Sequence, residues 1–412
     1  MKRKAISRLN LLANQVSAAT PKYVQSCLEW CGFDEYLTPE EIKHRNFVRK
    51  TLEEEAAPKM DKYIHSTEFP FELVDVIKKL KINGTINKGY GSAELSPMMM
   101  AAAYVELFRV DASLATFFLV HNSLGIDALY LTASKKQLDE IMPKAMTLEK
   151  ILCFGLTEKD YGSDATSLET TVTKTKGGYI LNGNKRWIGN ATHADYVVCW
   201  AQGASKKGIE GFIVDLKSKG VTTEKIEGKM SLRAVQNCNI FFDSVFVPES
   251  CRLEKTENFV TGAGKVLKHS RVNVCWAAVG IAVGAYDSCL KYVSNRKQFG
   301  KTISSFQLSQ EKIGRMMGNI NGMIHYAARI TQLYYDGKAT MGQIALCKAW
   351  CTLRGREVVA LARELCGGNG IILENGVMKH FIDMEAIYTY EGSYDINILV
   401  AARELTGKAA FK

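Results

Sequence analysis

The chain has 412 residues, 47% hydrophobic and 23% charged; it is too long for one core and too apolar for a disordered chain, so two or three globular domains are expected. Its net charge of +10 is scattered, with no zinc knuckle, RNA-binding aromatic motif or dense basic helix, which leaves nucleic-acid binding without support. The eleven cysteines are odd in number and follow no secretory signal, which favours reduced thiols inside a cell. No histidine lies near Cys27/Cys31 or Cys347/Cys351, so helical packing rather than a metal site is the reading of both pairs.

The first 28 residues contain no Asp or Glu but carry Lys2, Arg3, Lys4, Arg8 and Lys22. Such a start reads either as a mitochondrial transit peptide or as a frayed basic terminus, and residues 1–35 are set aside as an N-terminal extension or targeting segment. Apolar residues then recur at three and four over Glu40–Lys59, Phe71–Leu80, Pro97–Phe108 and Leu114–Leu131, predicting an N-terminal α-helical domain over residues 36–152. Residues 153–262 change character. Thr170–Thr175 alternates, Gly177-Gly178 forms a hairpin turn, and Tyr179–Leu181, Tyr196–Ala201, Gly211–Leu216 and Ile240–Val247 are short β-rich runs, together predicting an antiparallel middle domain.

All seven prolines lie at or before Pro248, so residues 263–412 are free to form long helices, predicted over Val272–Asn295, Ser309–Tyr335, Gly342–Cys366 and Asp395–Glu404. Gly314, Gly318 and Gly322 share one helix face and suggest close helix–helix packing. The uncharged runs Ala112–Ile126 and Val272–Tyr286 are too short to span a bilayer, so a soluble protein is expected. No strand–GxGxxG–helix unit occurs, which argues against a Rossmann domain.

Five segments hold polar residues or glycines in patterns suited to chemistry. In Tyr388-Thr-Tyr-Glu-Gly-Ser393, a carboxylate between aromatics and a glycine is either a raised-pKa base or part of a helix-capping loop. Gly367, Gly368 and Gly370 form either a helix C-cap or a backbone cradle for phosphate. Thr157, Gly162 and Ser163 suit an anion or a heterocycle edge, or an ordinary polar loop. Trp187 can stack on an aromatic cofactor or fill core, and Arg296 can bind pyrophosphate or sit solvated at a helix end.

Taken in order from Tyr36 to Phe411, these segments resemble the acyl-CoA dehydrogenase superfamily. Leu37-Thr-Pro-Glu-Glu41, Arg109-Val-Asp-Ala-Ser113, Lys185-Arg-Trp-Ile-Gly-Asn190, Leu232-Arg-Ala-Val-Gln-Asn237 and Tyr388-Thr-Tyr-Glu-Gly392 are most similar to plant short-chain acyl-CoA oxidase, with glutaryl-CoA dehydrogenase next. The resemblance implies an α+β fold: an N-terminal α-helical domain, a middle antiparallel β domain and a C-terminal four-helix bundle. It also implies a homotetramer with one FAD per subunit. Glu391 would then be the catalytic base. Phe154, Leu156, Thr157 and Ser163 would contact flavin or substrate, with Trp187, Ile188 and Gly189 flanking the isoalloxazine. Ser393 and Asp395 would also touch the cofactor. Arg296, Phe299, Gln307, Glu364, Leu365 and Gly368 would hold the ADP part of a neighbouring subunit's FAD. Ser163, Arg271, Tyr390 and Gly392 would lie beside the acyl-CoA.

Three positions depart from the family pattern. Lys159 stands where proline usually follows Thr-Glu. Ala115 stands where glutaryl-CoA dehydrogenase has its carboxylate-binding arginine, which favours a short monocarboxylic acyl group. Gly189 replaces a common threonine, as in the plant oxidase. Some relatives carry the base one position before the arginine equivalent to Arg271; here that residue is Ser270, which cannot serve. The expected activity is dehydrogenation of short-chain acyl-CoA, with electrons passing to electron-transferring flavoprotein in the mitochondrial matrix. The alternative is a peroxisomal oxidase passing them to O₂, although Ala410-Phe-Lys412 is not a peroxisomal signal. A non-catalytic assembly scaffold is a third reading, disfavoured by Glu391, Thr157, Ser163, Trp187 and Arg296.

Overall fold

The computed structural model describes residues 26–204 and 208–410, so the basic segment through Gln25 lies outside the described residues. The last part of the expected extension packs with the rest. Cys27 and Leu28 are buried, the Cys27 and Cys31 thiols each meet Met317 Sδ at 3.7 Å, and Phe33 packs edge-on to Trp276 at 5.8 Å. Residues 26–36 are thus part of the folded body, not a separate extension.

Local signals start each N-terminal helix. Thr38 caps α1 (Pro39–Thr51) in a capping box with Glu41, and Pro39 supplies the helical φ without wasting a donor. A π-helical stretch, Leu52–Ala56, carries α1 into α2 (Ala57–Ser66), and α3 follows at Val74–Lys79. Ser96 caps α4 (Pro97–Val110), and Asp111 caps α5 (Ala112–Leu119) by accepting from Ser113 N and Leu114 N. A second π-helical stretch, Val120–Ile126, joins α5 to α6 (Asp127–Thr132), and α7 covers Lys135–Met146.

The middle domain is a seven-stranded sheet. The strands are β1 (Leu152–Gly155), β2 (Thr171–Thr175), β3 (Gly178–Ile188), β4 (Tyr196–Gln202), β5 (Ile209–Asp215), β6 (Val221–Lys225) and β7 (Cys238–Pro248). Five pairings account for most of it: β2–β3, β3–β7, β7–β6 and β4–β5 are antiparallel, but β1 runs parallel to β4. The purely antiparallel expectation is corrected there. The β2–β3 hairpin lies in the connection between β1 and β4, which is long enough for a parallel crossover.

The C-terminal domain contains α8 (Ala263–Asn295), α9 (Gln307–Tyr335), α10 (Met341–Leu365), α11 (Val377–Thr389) and α12 (Tyr394–Thr406). α8 runs through the centre of the molecule. A Cβ on Gly280 would sit 2.7 Å from Val105 O, so glycine is what lets α8 approach α4. The glycine face expected to pack, on α9, does not: a Cβ at Gly314 or Gly318 would meet open space, and only Gly322 abuts a neighbour, Trp350.

Ala112–Thr132 and α8 are longer than the uncharged runs suggested, and both are apolar enough to span a bilayer by length and composition. In each, 89% of the most apolar stretch is buried within protein, which marks them as core helices.

Candidate active site

The end of α11 delivers Glu391 into an unusual backbone state. Glu391 has φ +56° and Gly392 φ +88°, and Ser393 caps the following helix by accepting from Ile396 N. A left-handed glutamate costs about 1–3 kcal/mol and needs surrounding contacts to hold it. Four hydrogen bonds from three helices do so. Arg271 Nε donates to Glu391 O at 2.9 Å, Lys348 Nζ donates to Tyr388 O at 3.0 Å and to Gly392 O at 2.8 Å, and Asn397 Nδ2 donates to Gly392 O at 2.7 Å. Gly392 is obligatory, since a Cβ there would lie 2.9 Å from Asn397 Nδ2 and 3.3 Å from Arg271 Nη2.

The Glu391 side chain meets one donor: Ser270 Oγ, at 2.8 Å from Oε2. Burial raises the Glu391 carboxyl above its usual range, against the opposing pull of the Ser270 hydroxyl, Arg271 and Lys348. Burial likewise lowers Arg271, with Glu391 opposing. The Tyr390 hydroxyl is buried beside Thr116 of α5, and neither hydroxyl finds a hydrogen-bond partner of good geometry.

A second wall forms at the end of the sheet. Lys185 Nζ donates to Leu156 O at 3.1 Å and to Glu158 Oε1 at 2.7 Å, while the Glu158 carboxylate also accepts from Glu169 N and Thr170 N. Burial alone would raise Glu158; Lys185 and these hydrogen bonds outweigh it and hold the carboxyl below its ordinary value. Arg186 N donates to Thr157 O at 2.8 Å, and Glu158 N donates to Tyr161 O, so the turn closes with Lys159 in place of proline.

Trp187 stands at the rim with φ +64° and its side chain 50% exposed, so it is not core. Its carbonyl accepts from Asn237 Nδ2 at 3.0 Å, and Asn237 Oδ1 in turn accepts from half-buried Lys229 at 2.7 Å. Phe154, Leu156 and Ile188 are buried beneath this rim, whereas Ser163 is exposed. Gly189 is buried, and a Cβ there would lie 3.2 Å from Val120 Cγ2. Val120 is one helical turn beyond Thr116, so one face of α5 and its continuation joins the Glu391 loop to the Trp187 wall.

Three family models, described as the N-terminal, middle and C-terminal domains of acyl-CoA dehydrogenase, match residues 38–149, 153–245 and 261–406. The chain belongs to the acyl-CoA dehydrogenase family. It is 31% identical to the caffeyl-CoA reductase-Etf complex subunit CarC of Acetobacterium woodii, over 88% of this chain and 96% of that one. It is 27% identical to mitochondrial isovaleryl-CoA dehydrogenase of Arabidopsis thaliana, over 89% and 91%. The solved structure of a Mycobacterium smegmatis glutaryl-CoA dehydrogenase in complex with FADH2 superposes with a TM-score of 0.91 at 30% identity, covering 94% of this chain and all (100%) of that one.

This acyl-CoA dehydrogenase is therefore a flavin oxidoreductase acting on CH–CH bonds, with FAD as its cofactor. Its residues fit the group. Trp187 offers an exposed indole face, Gly189 leaves the adjoining main chain bare, and Thr157 and Ser163 supply hydroxyls on the same connection. Six further expected cofactor residues gather elsewhere. Arg296 ends α8, and Phe299, 92% exposed, tips the hairpin Lys297–Thr302. Gln307 opens α9, Glu364 accepts from Lys312 at 3.0 Å, and Leu365 and Gly368 lie where α10 ends. With 1.5 Å per residue, Arg271 and Arg296 are roughly 37 Å apart along α8. Ser393 spends its hydroxyl as a helix cap, and Asp395 is exposed in the first turn of α12.

Sequence reasoning missed Ser270 as a partner of Glu391, and missed Lys348 altogether. Lys348 did leave a signal: it is a lone cation in the apolar run Ile344-Ala-Leu-Cys-Lys-Ala-Trp-Cys351, on a face that α10 buries.

Proposed function

We propose that Glu391 is the base that removes the α-proton of a short-chain monocarboxylic acyl-CoA, giving the trans-2-enoyl-CoA. The observation that carries this reading is the raised-pKa carboxylate in a strained, over-determined turn, linked by α5 to the Trp187 wall. Ser270 occupies Oε2, which leaves Oε1 as the oxygen to receive the proton. The Glu391 N–H meets no acceptor among the described residues and suits the thioester oxygen as negative charge develops there. Gly392 gives that oxygen room, and Tyr390 and Thr116 border the acyl chain. Ala115 supplies no cation for a distal carboxylate, which supports a monocarboxylic substrate.

Thr157, Ser163, Trp187, Ile188 and Gly189 would hold the FAD, which when bound supplies the acceptor for the hydride leaving the β-carbon. Arg296, Phe299, Gln307, Glu364, Leu365 and Gly368 gather at the end of α8 remote from Arg271, roughly 37 Å away along the helix. Their exposed cluster supports a homotetramer in which they hold the ADP end of a neighbour's FAD.

Electrons then pass to electron-transferring flavoprotein. Similarity to a subunit named for an Etf complex supports that acceptor, and the basic, acid-poor start of the chain supports the mitochondrial matrix. A second reading, a peroxisomal oxidase using O₂, is favoured by bare Gly189. Anaerobic addition of butyryl-CoA to the yellow protein tests the function. Bleaching that persists in air until flavoprotein acceptor is added is expected; immediate reoxidation in air would select the oxidase, and no bleaching with any short acyl-CoA would refute the reading.

A further inference from the structure

Lys348 is 0% exposed, and its ammonium lies under the Glu391 loop without touching a carboxylate. Burying an ammonium is costly unless something nearby compensates it, and an apolar residue of the same length would fill this site at no such cost. The compensation is specific. Nζ donates to Tyr388 O, in the last turn of α11, and to Gly392 O, just beyond Glu391, so the cation straddles the five residues that carry the base. Asn397 Nδ2 shares the Gly392 carbonyl.

We propose that Lys348 is a positioning residue of the catalytic loop, whose charge holds Glu391 ionised while its two hydrogen bonds fix the turn. The inference rests on reading Glu391 as the base. The ionisable groups around Lys348 are Glu391 itself, Arg271 and Cys275 of α8, and Cys347 and Cys351 on its own helix, with Tyr326 of α9 on the cysteine side. Among these, burial lowers the ammonium to about 7, Glu391 opposes that, and Arg271 adds to it. Burial also raises Glu391, and Lys348 opposes that rise together with Arg271, so the buried cation favours the ionised carboxylate.

The test uses FAD-loaded protein and acetoacetyl-CoA, whose acidic α-carbon a bound base can deprotonate without turnover. The long-wavelength absorbance of the resulting enolate beside flavin is followed against pH. Lys348→Met removes charge and both hydrogen bonds, whereas Lys348→Gln keeps an amide donor and removes only the charge. Both should move the midpoint upward by roughly one pH unit, and Lys348→Arg should restore it. Wild-type midpoints in both neutral variants, or a shift in the methionine variant alone, would overturn the electrostatic role. Should the methionine variant fail to fold, the glutamine–arginine comparison decides the matter. Glu391→Gln should abolish the band; a band that persists there would refute the base assignment instead, independently of Lys348.

Discussion

Replacing Ser270 with alanine removes the one hydrogen bond that the Glu391 carboxylate receives among the described residues, 2.8 Å from Oε2. A hydrogen bond to a charged group contributes about 1.5–3 kcal/mol. Glu391 is half-buried, so the loss should fall at or below the lower bound, about 1–1.5 kcal/mol. One pH unit corresponds to about 1.4 kcal/mol, so the apparent pKa of the base should rise by about one unit. The sign follows from the donor: a hydroxyl stabilises the ionised carboxylate, so its removal favours the protonated form. Single-turnover flavin reduction by butyryl-CoA, measured anaerobically across pH, should show the acidic limb displaced upward in Ser270→Ala. Well above that limb the two rates should converge; below it the variant should be about tenfold slower. An acidic limb that stays in place while the plateau falls would show that Ser270 shapes the pocket and does not tune the base, refuting the reasoning.

Glu391→Gln keeps the Ser270 contact but cannot accept a proton; flavin reduction should slow by at least about 100-fold with FAD still bound, as single-turnover absorbance would show. Lys185→Met strands the buried Glu158 carboxylate and should destabilise the protein by about 3–5 kcal/mol, read as a lower urea midpoint, with Glu158→Gln in the same chain recovering part of it. Gly189→Thr places a side chain against Val120; if the bare glycine admits oxygen, reoxidation of the reduced enzyme in air should slow severalfold, and an unchanged rate would dissociate Gly189 from oxygen reactivity.

The order of helices, strands and helices was readable because periodicity and proline placement are local properties. Glu391, Gly392 and Trp187 were readable as one site only through resemblance to a family, because nothing local links residues two hundred positions apart. The parts that escaped depend on tertiary contact. Ser270 looked inert because its value lies in reaching Glu391, more than a hundred residues away. Strand β6 is largely exposed and carries no alternation to betray it. The α9 glycines have helical spacing but no neighbour at Gly314 or Gly318, whereas Gly280, unremarked in sequence, is where two backbones meet. Glycine spacing signals that close approach is permitted, and only the fold decides where it happens.

Helix α8 carries Arg271 against the Glu391 loop near one end and Arg296 at the other, with no proline between them. It behaves as a fixed gauge. One residue inserted between those arginines would turn one end against the other by about 100°, so Arg271 and Arg296 could not both keep their bearings. The same insertion in the turn around Lys217 would be absorbed at the surface. Tolerance to changes in length should therefore vary sharply along this chain, lowest in its longest helix, where neither Glu391 nor the remote cluster is itself altered.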